Sequence, residues 1–161
     1  MRTLCRRLVL SFALVVAALS GAAHAAEPIN TLEKKGLFGY KASGVAIRGY
    51  DTVAYWTQGQ PVEGDEAITA DYMGATWRFA SEAHRDLFTA EPAKYAPQYG
   101  GYCAYGVAQD SLVKIEPENW TILDDKLYLN YDDGVQSRWE GDIPGFIMAA
   151  DEKFDGLLQA D

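Results

Sequence analysis

His84 and Cys103 carry the side chains of this sequence that are best suited to metal binding or nucleophilic chemistry. A soft thiolate beside an imidazole suits Cu(I) or Zn(II). The same two groups also suit a thiol nucleophile with its base. Asp51, in the run Gly49-Tyr50-Asp51, adds a carboxylate that can serve as a hard oxygen ligand. The sequence therefore predicts a candidate metal site of Cys103, His84 and Asp51, if the fold brings them together.

Each of these residues also has a structural explanation, which stays open at the level of sequence. His84 lies three and four residues before Leu87 and Phe88 on a predicted helix, so it faces the core side. Cys103 is a free cysteine, a residue type that is commonly buried as a small apolar side chain. Asp51 is suited to capping the helical turn that follows it.

Common catalytic and cofactor signatures are absent from the sequence. It has no CxxC, HExxH, P-loop or glycine-rich dinucleotide motif. The acid pairs Asp124-Asp125 and Asp132-Asp133 lack the ligand spacing of a calcium loop. One histidine and one cysteine are too few for a closed zinc site unless oxygen ligands or a second chain contribute. These absences favour a binding role over enzymatic turnover.

The first 25 residues have the three parts of a secretory signal peptide. Arg2, Arg6 and Arg7 form a basic start, Leu8–Leu19 is an uncharged apolar run, and Ala23-His24-Ala25 fits a cleavage site. The apolar run is shorter than the roughly 20 residues that a membrane-spanning helix needs. Cleavage near Ala25 predicts a periplasmic or secreted protein. The arginine pair also admits twin-arginine export.

Cleavage changes the charge balance of the chain. The mature part keeps eleven lysines and arginines against 23 acidic residues, a net charge of −12. Such a surface repels phosphate backbones and anionic lipids, so neither nucleic acid nor a membrane is an expected partner. Cys103 is the one cysteine that remains, and it cannot close an internal disulfide.

The mature chain has the length of one domain, and no internal repeat is apparent. Residues 26–44 are polar and predict an extended lead-in, and the patterned part covers 45–161. Strand pairs mixed with helices indicate a small single α+β domain with two short β-hairpins and several helices. In chain order we predict a short strand over Val45–Arg48, a hairpin over 67–79, a helix from Ser81, a hairpin over 120–131 and a helix over 144–158.

Several of these segments resemble YHS-domain proteins, with the closest likeness to an exported bacterial branch. The likeness covers roughly residues 45–150, and the run around Cys103 is its most specific part. The matching segments are Gly49–Trp56, Trp77–Ser81, Phe88 with Pro92, Lys94 and Tyr95, the run Tyr95–Ala104, and Leu127–Tyr131.

This resemblance implies a compact α+β domain and a metal role that is often thought to involve copper. At three positions where the usual YHS domain has cysteine, this chain has Ala54, Ala80 and His84. A site in this chain is therefore expected to be built around His84, Cys103 and Asp51.

We accordingly expect an exported YHS-type domain that binds a transition metal, most plausibly copper, for carriage, sensing or buffering. One alternative is a metal-free module that binds another exported protein. The other is a thiol enzyme that uses Cys103 as nucleophile and His84 as base.

Overall fold

The computed structural model describes residues 26–37 and 39–160 of the chain, so the predicted signal peptide over 1–25 lies outside the described residues. The described part confirms a small α+β domain, with six helices and three two-stranded antiparallel sheets. The strands are β1 (Leu32–Lys35), β2 (Gly39–Ala42), β3 (Asp65–Tyr72), β4 (Ala75–Phe79), β5 (Trp120–Leu123) and β6 (Lys126–Leu129). The helices are α1 (Ala54–Thr57), α2 (Glu82–Ala90), α3 (Pro92–Tyr95), α4 (Ala104–Ala108), α5 (Asp133–Trp139) and α6 (Ile143–Gln159).

Both predicted hairpins are confirmed. In the first, β3 pairs with β4 around a tight turn at Met73 and Gly74, with a bulge between Asp65 and Thr69. In the second, β5 pairs with β6 in regular register from Trp120 opposite Leu129. Alternation of strand-forming residues around turn residues is a local signal, which is why these elements are readable from sequence.

The segment 26–44, expected as an extended lead-in, is built into the domain. Its β1–β2 hairpin is a third sheet that the sequence did not predict. Ile29, Asn30 and Thr31 are buried. The Asn30 backbone N–H donates to the Gly100 carbonyl at 2.8 Å, and its side-chain amide donates to the Gly101 carbonyl at 2.9 Å. Asn30 therefore joins the start of the described chain to its middle.

The predicted strand over Val45–Arg48 is wrong. Val45 makes only an isolated bridge to Thr76, and Ala46–Gly49 forms a tight turn with Ile47 and Arg48 at φ of 50° and 57°. We call this the first left-handed turn. The left-handed region costs an L-residue about 1–2 kcal/mol. Full burial of the Ile47 side chain and a hydrogen bond from its N–H to the Asn30 carbonyl offset that cost.

A second left-handed turn occupies Gln98–Gly101, with Tyr99, Gly100 and Gly101 at φ of 55°, 60° and 78°. It lies against the N-terminal segment, since a Cβ on Gly100 would overlap the backbone carbonyl of Pro28. Tyr95, Tyr99 and Tyr102 are buried.

Two aromatic clusters fill the core. Trp77 and Phe79 of β4 pack on Phe88 of α2, with ring centroids 4.8 and 5.1 Å apart. Tyr128 of β6 packs on Trp139 of α5 at 5.4 Å. The predicted C-terminal helix is confirmed as α6 and covers the second cluster. Among the described residues, no helix has the length and apolar character needed to cross a membrane.

Replacing Gly100 by alanine tests the packing of the second left-handed turn. We expect Gly100→Ala to lower the free energy of unfolding by about 2 kcal/mol more than Gly59→Ala, because the new methyl overlaps backbone atoms. Gly59 is the matched control. It also has a positive φ, 65°, but a methyl group added there would contact no atom of the described chain. Denaturant unfolding of both variants measures the difference, and equal losses would contradict this account of the turn.

Candidate functional site

Asp51 lies directly between the first left-handed turn and α1, and its side chain is 0% exposed. Its Oδ1 accepts the Val53 N–H at 2.9 Å, and its Oδ2 accepts the Ala80 N–H at 2.8 Å. A buried carboxylate is costly unless hydrogen bonds and a counter-charge compensate it. Asp51 accepts a backbone N–H ahead of α1 but is not its N-cap, which is Val53, and the same carboxylate also holds the β4–α2 junction.

His84 supplies a further partner of the Asp51 carboxylate. It lies in the first turn of α2, where its backbone N–H donates to the Ser81 hydroxyl at 3.2 Å. The Ser81 cap therefore fixes where the imidazole leaves the helix. His84 Nδ1 lies 2.6 Å from Asp51 Oδ2, and its side chain is 13% exposed. The predicted orientation of His84 toward the core is confirmed.

The other imidazole nitrogen, Nε2, lies 3.2 Å from the Thr57 hydroxyl at the end of α1. The Thr57 hydroxyl also lies 3.1 Å from the Val53 carbonyl, to which it donates. A hydroxyl has a single hydrogen. When Thr57 donates this hydrogen to the Val53 carbonyl, it offers none to Nε2. An uncharged imidazole that donates through Nδ1 then keeps a free lone pair on Nε2.

This geometry defines what the site can do chemically. A carboxylate that holds Nδ1 fixes the tautomer and the orientation of the ring. Neutral imidazole nitrogen is a common ligand of transition metals and also a proton acceptor. The Asp51–His84 pair thus presents one oriented nitrogen, at a partly exposed position beside an exposed threonine.

Cys103 lies elsewhere in the core and is 1% exposed. Its sulfur accepts the Gly106 N–H at 3.3 Å, at the start of α4, and lies 3.6 Å from Asn130 Oδ1. Neither His84 nor Asp51 is among its hydrogen-bond partners in the part of the chain that the structure describes. The structure therefore brings Asp51 and His84 together, and the prediction that Cys103 joins them gains no support from these contacts.

The environment of Cys103 does not favour a nucleophile. Burial raises the pKa of the thiol above its ordinary value, and backbone N–H groups of Gly106, Tyr131 and Tyr105 counteract only part of this effect. A reactive cysteine needs a stabilised thiolate and solvent access. The thiol-enzyme hypothesis therefore gains no support from the geometry.

The remaining carboxylates do not complete a site. Within residues 26–37 and 39–160, no group of three or more histidine, cysteine, aspartate and glutamate side chains is placed to hold a metal ion. Asp132 caps α5 by accepting the Val135 N–H at 2.8 Å. Asp124 and Asp125 form the β5–β6 turn.

Two residues of these environments were missed from the sequence, Thr57 and Asn130. Nothing in the sequence around Thr57 indicates that it contacts His84. Asn130 is fully buried, accepts the Tyr105 N–H at 3.1 Å and donates to Gln136 at 2.9 Å. An asparagine directly after an apolar strand was the available signal, because buried amides occur where backbone groups need partners.

Comparison with protein-family models, curated proteins and solved structures finds no match to this chain.

Asp51→Asn tests the carboxylate of the pair. Whichever way the amide is turned, its nitrogen would face a backbone N–H, that of Val53 or that of Ala80, so we expect a loss of about 3 kcal/mol in the free energy of unfolding. Asp71→Asn is the control, because Asp71 is exposed and accepts only the Thr76 hydroxyl in the described chain. We expect that change to stay within about 0.5 kcal/mol. Urea unfolding distinguishes the two, and similar small losses would show that the pair is not a structural centre.

Proposed function

We propose that this chain is an exported YHS-type domain that binds a transition-metal ion, copper above all, through Nε2 of His84. The observation that carries the proposal is the 2.6 Å contact between Asp51 Oδ2 and His84 Nδ1. A carboxylate behind the non-coordinating nitrogen is the usual partner of a metal-bound histidine. Copper accepts imidazole ligands readily and lies at the top of the divalent affinity order.

Two further features support a cation as the ligand. The mature chain has a net charge of −12, which raises the local concentration of cations. The Thr57 hydroxyl, on an exposed residue, is the group that contacts Nε2, so a side-chain rotation can open the nitrogen to an ion from solvent. This rotation leaves the Asp51–His84 contact intact.

The donor set fits a metal carrier better than a closed structural site. His84 supplies one ligand and Asp51 orients it, whereas Cys103 has partners of its own. A closed structural zinc site has four protein ligands. The remaining positions on an ion at His84 are therefore left to water, or to a donor or acceptor protein, as carriage and buffering require.

A metal-free interaction module is the alternative. Met148 on α6 is 65% exposed, and it borders a groove that Leu123, Pro144 and Ile147 also line. An exposed apolar patch of this kind often marks a contact surface. If wild-type protein binds no copper, this alternative becomes the better explanation.

Copper titration of residues 26–161 without a histidine tag tests the metal proposal. His84 is the one histidine of that chain, so His84→Ala is expected to abolish the imidazole-nitrogen splitting in the Cu(II) EPR spectrum. Asp51→Asn, measured where it remains folded, should weaken binding by roughly 10–100-fold. Cys103→Ser is the control and should bind as wild type. An unchanged spectrum in His84→Ala, or no copper in wild type, would sink the proposal.

Export is tested with the full chain in a bacterial host. We expect protein from the periplasmic or culture fraction to begin at Ala26, because Ala23-His24-Ala25 has the small residues that signal cleavage needs. Ala25→Arg should accumulate as uncleaved precursor, and Ala26→Ser should be processed normally. Recovery of wild type with residues 1–25 intact in the cytoplasm would contradict export.

A further inference from the structure

The fold repeats one order of elements in its two halves. The first half covers 46–90 and runs from the first left-handed turn through α1, β3 and β4 to α2. The second half covers 98–139 and runs from the second left-handed turn through α4, β5 and β6 to α5. A shared order of elements is by itself weak evidence that the two halves are related, because hairpins and helices recur in many folds.

The two turns agree in backbone conformation. Residues 47–49 have φ of 50°, 57° and 81°, and residues 99–101 have φ of 55°, 60° and 78°. Non-glycine residues at positive φ are uncommon. In each turn the next residue closes the same hydrogen bond, Tyr50 N–H to the Ile47 carbonyl at 3.1 Å and Tyr102 N–H to the Tyr99 carbonyl at 3.0 Å.

Equivalent hydrogen bonds also follow the two turns. The residues that make them are separated by a nearly constant number of positions in the chain. Asp51 N–H donates to the Val62 carbonyl at 2.9 Å, and Cys103 N–H donates to the Val113 carbonyl at 3.3 Å. Equivalent residues are 52 positions apart in the turns and 51 apart from Val62 onward.

The hairpins and second helices keep the separation of 51. Three features recur in both halves, namely the hairpin tip, the side-chain cap of the helix and the aromatic pair that joins strand to helix. The tips are 73–74 and 124–125, the caps are Ser81 on the His84 N–H and Asp132 on the Val135 N–H, and the aromatic pairs are Trp77–Phe88 and Tyr128–Trp139.

We propose that the two halves are copies of one folding unit, in which Cys103 takes the place of Asp51 and Val135 takes the place of His84. The side chains at the first pair of positions both accept backbone N–H groups. Asp51 Oδ2 accepts the Ala80 N–H, and the backbone N–H of Tyr131, 51 residues after Ala80, is one of the groups that lower the pKa of the Cys103 thiol. Each also accepts an N–H at the start of the helix that follows, from Val53 and from Gly106.

This equivalence assigns Cys103 a role. It is a capping residue whose sulfur accepts the Gly106 N–H at the start of α4, and it is neither a metal ligand nor a nucleophile. The second copy has an apolar side chain where the first has its imidazole, so the chain carries the ligand site once. The statement about the site rests on the proposed function, whereas the equivalence of the copies does not.

The role of Cys103 is tested with two substitutions of similar size. Cys103→Ser keeps an acceptor for the Gly106 N–H, and Cys103→Val keeps the apolar volume without one. We expect the unfolding equilibrium constant of Cys103→Val to exceed that of Cys103→Ser by roughly tenfold, because buried donors lose their partner. A cysteine buried only for packing gives the reverse order, which would overturn the assignment.

The equivalence of the copies is tested by Cys103→Asp together with Val135→His, with Val135→His alone as control. We expect the double variant to show a second downfield proton NMR signal of a hydrogen-bonded imidazole N–H, which the control lacks. Copper bound per chain should rise from one to two. A folded double variant without the second signal would overturn the equivalence.

The outcomes separate the two proposals. A second signal without copper binding in either protein keeps the equivalence and removes the metal function. Copper binding in wild type with no second signal keeps the function and removes the equivalence. If the double variant does not fold, the order of Cys103→Ser and Cys103→Val decides the role of Cys103.

Discussion

The site depends on the compensation of one buried charge, the carboxylate of Asp51. Taking an isolated carboxylate out of water costs several kcal/mol, and the cost is met only when donors and a counter-charge surround it. Val53 supplies one of these donors beside α1, and Ala80 and His84 supply the other two from the β4–α2 junction. The imidazole is thus oriented by the packing of the folded domain around Asp51, and not only by its direct contact with the carboxylate. A change at residue 51 acts on stability and on ligand binding together.

The carboxylate is placed by a backbone that carries a conformational cost. The first left-handed turn ends two residues before Asp51, and Ile47 within it is held at positive φ by burial and by the Asn30 carbonyl. Asn30 also bonds to the second left-handed turn through Gly100 and Gly101. The N-terminal segment therefore fixes both turns relative to each other. This explains why polar residues that look like a lead-in, such as Asn30 and Thr31, are buried.

Local signals made much of this fold predictable. The two hairpins, the Ser81 cap and the C-terminal helix follow from patterns within a few residues, and all were confirmed. The turn at Ile47 was not predictable, because a β-branched residue adopts positive φ only where distant groups stabilise it. For the site, the inward orientation of His84 was predictable, but its contact with Asp51 across 33 positions was not. The likeness of the two halves was not predictable either. Their sequences share little more than Gly49-Tyr50 in the first half and Gly101-Tyr102 in the second.

If the halves are copies, their differences follow one physical rule. A buried carboxylate requires a donor or cation nearby, whereas a buried thiol is neutral and requires neither. The half with Asp51 has His84 at the partner position, and the half with Cys103 has Val135 there. A carboxylate beside Val135 would be an uncompensated charge, and an imidazole beside the Cys103 thiol would lose the acceptor that fixes its ring. Substitutions at these two positions are therefore expected to occur together. A half that lost its buried charge would still keep the kind of backbone hydrogen bond that both Asp51 and Cys103 accept.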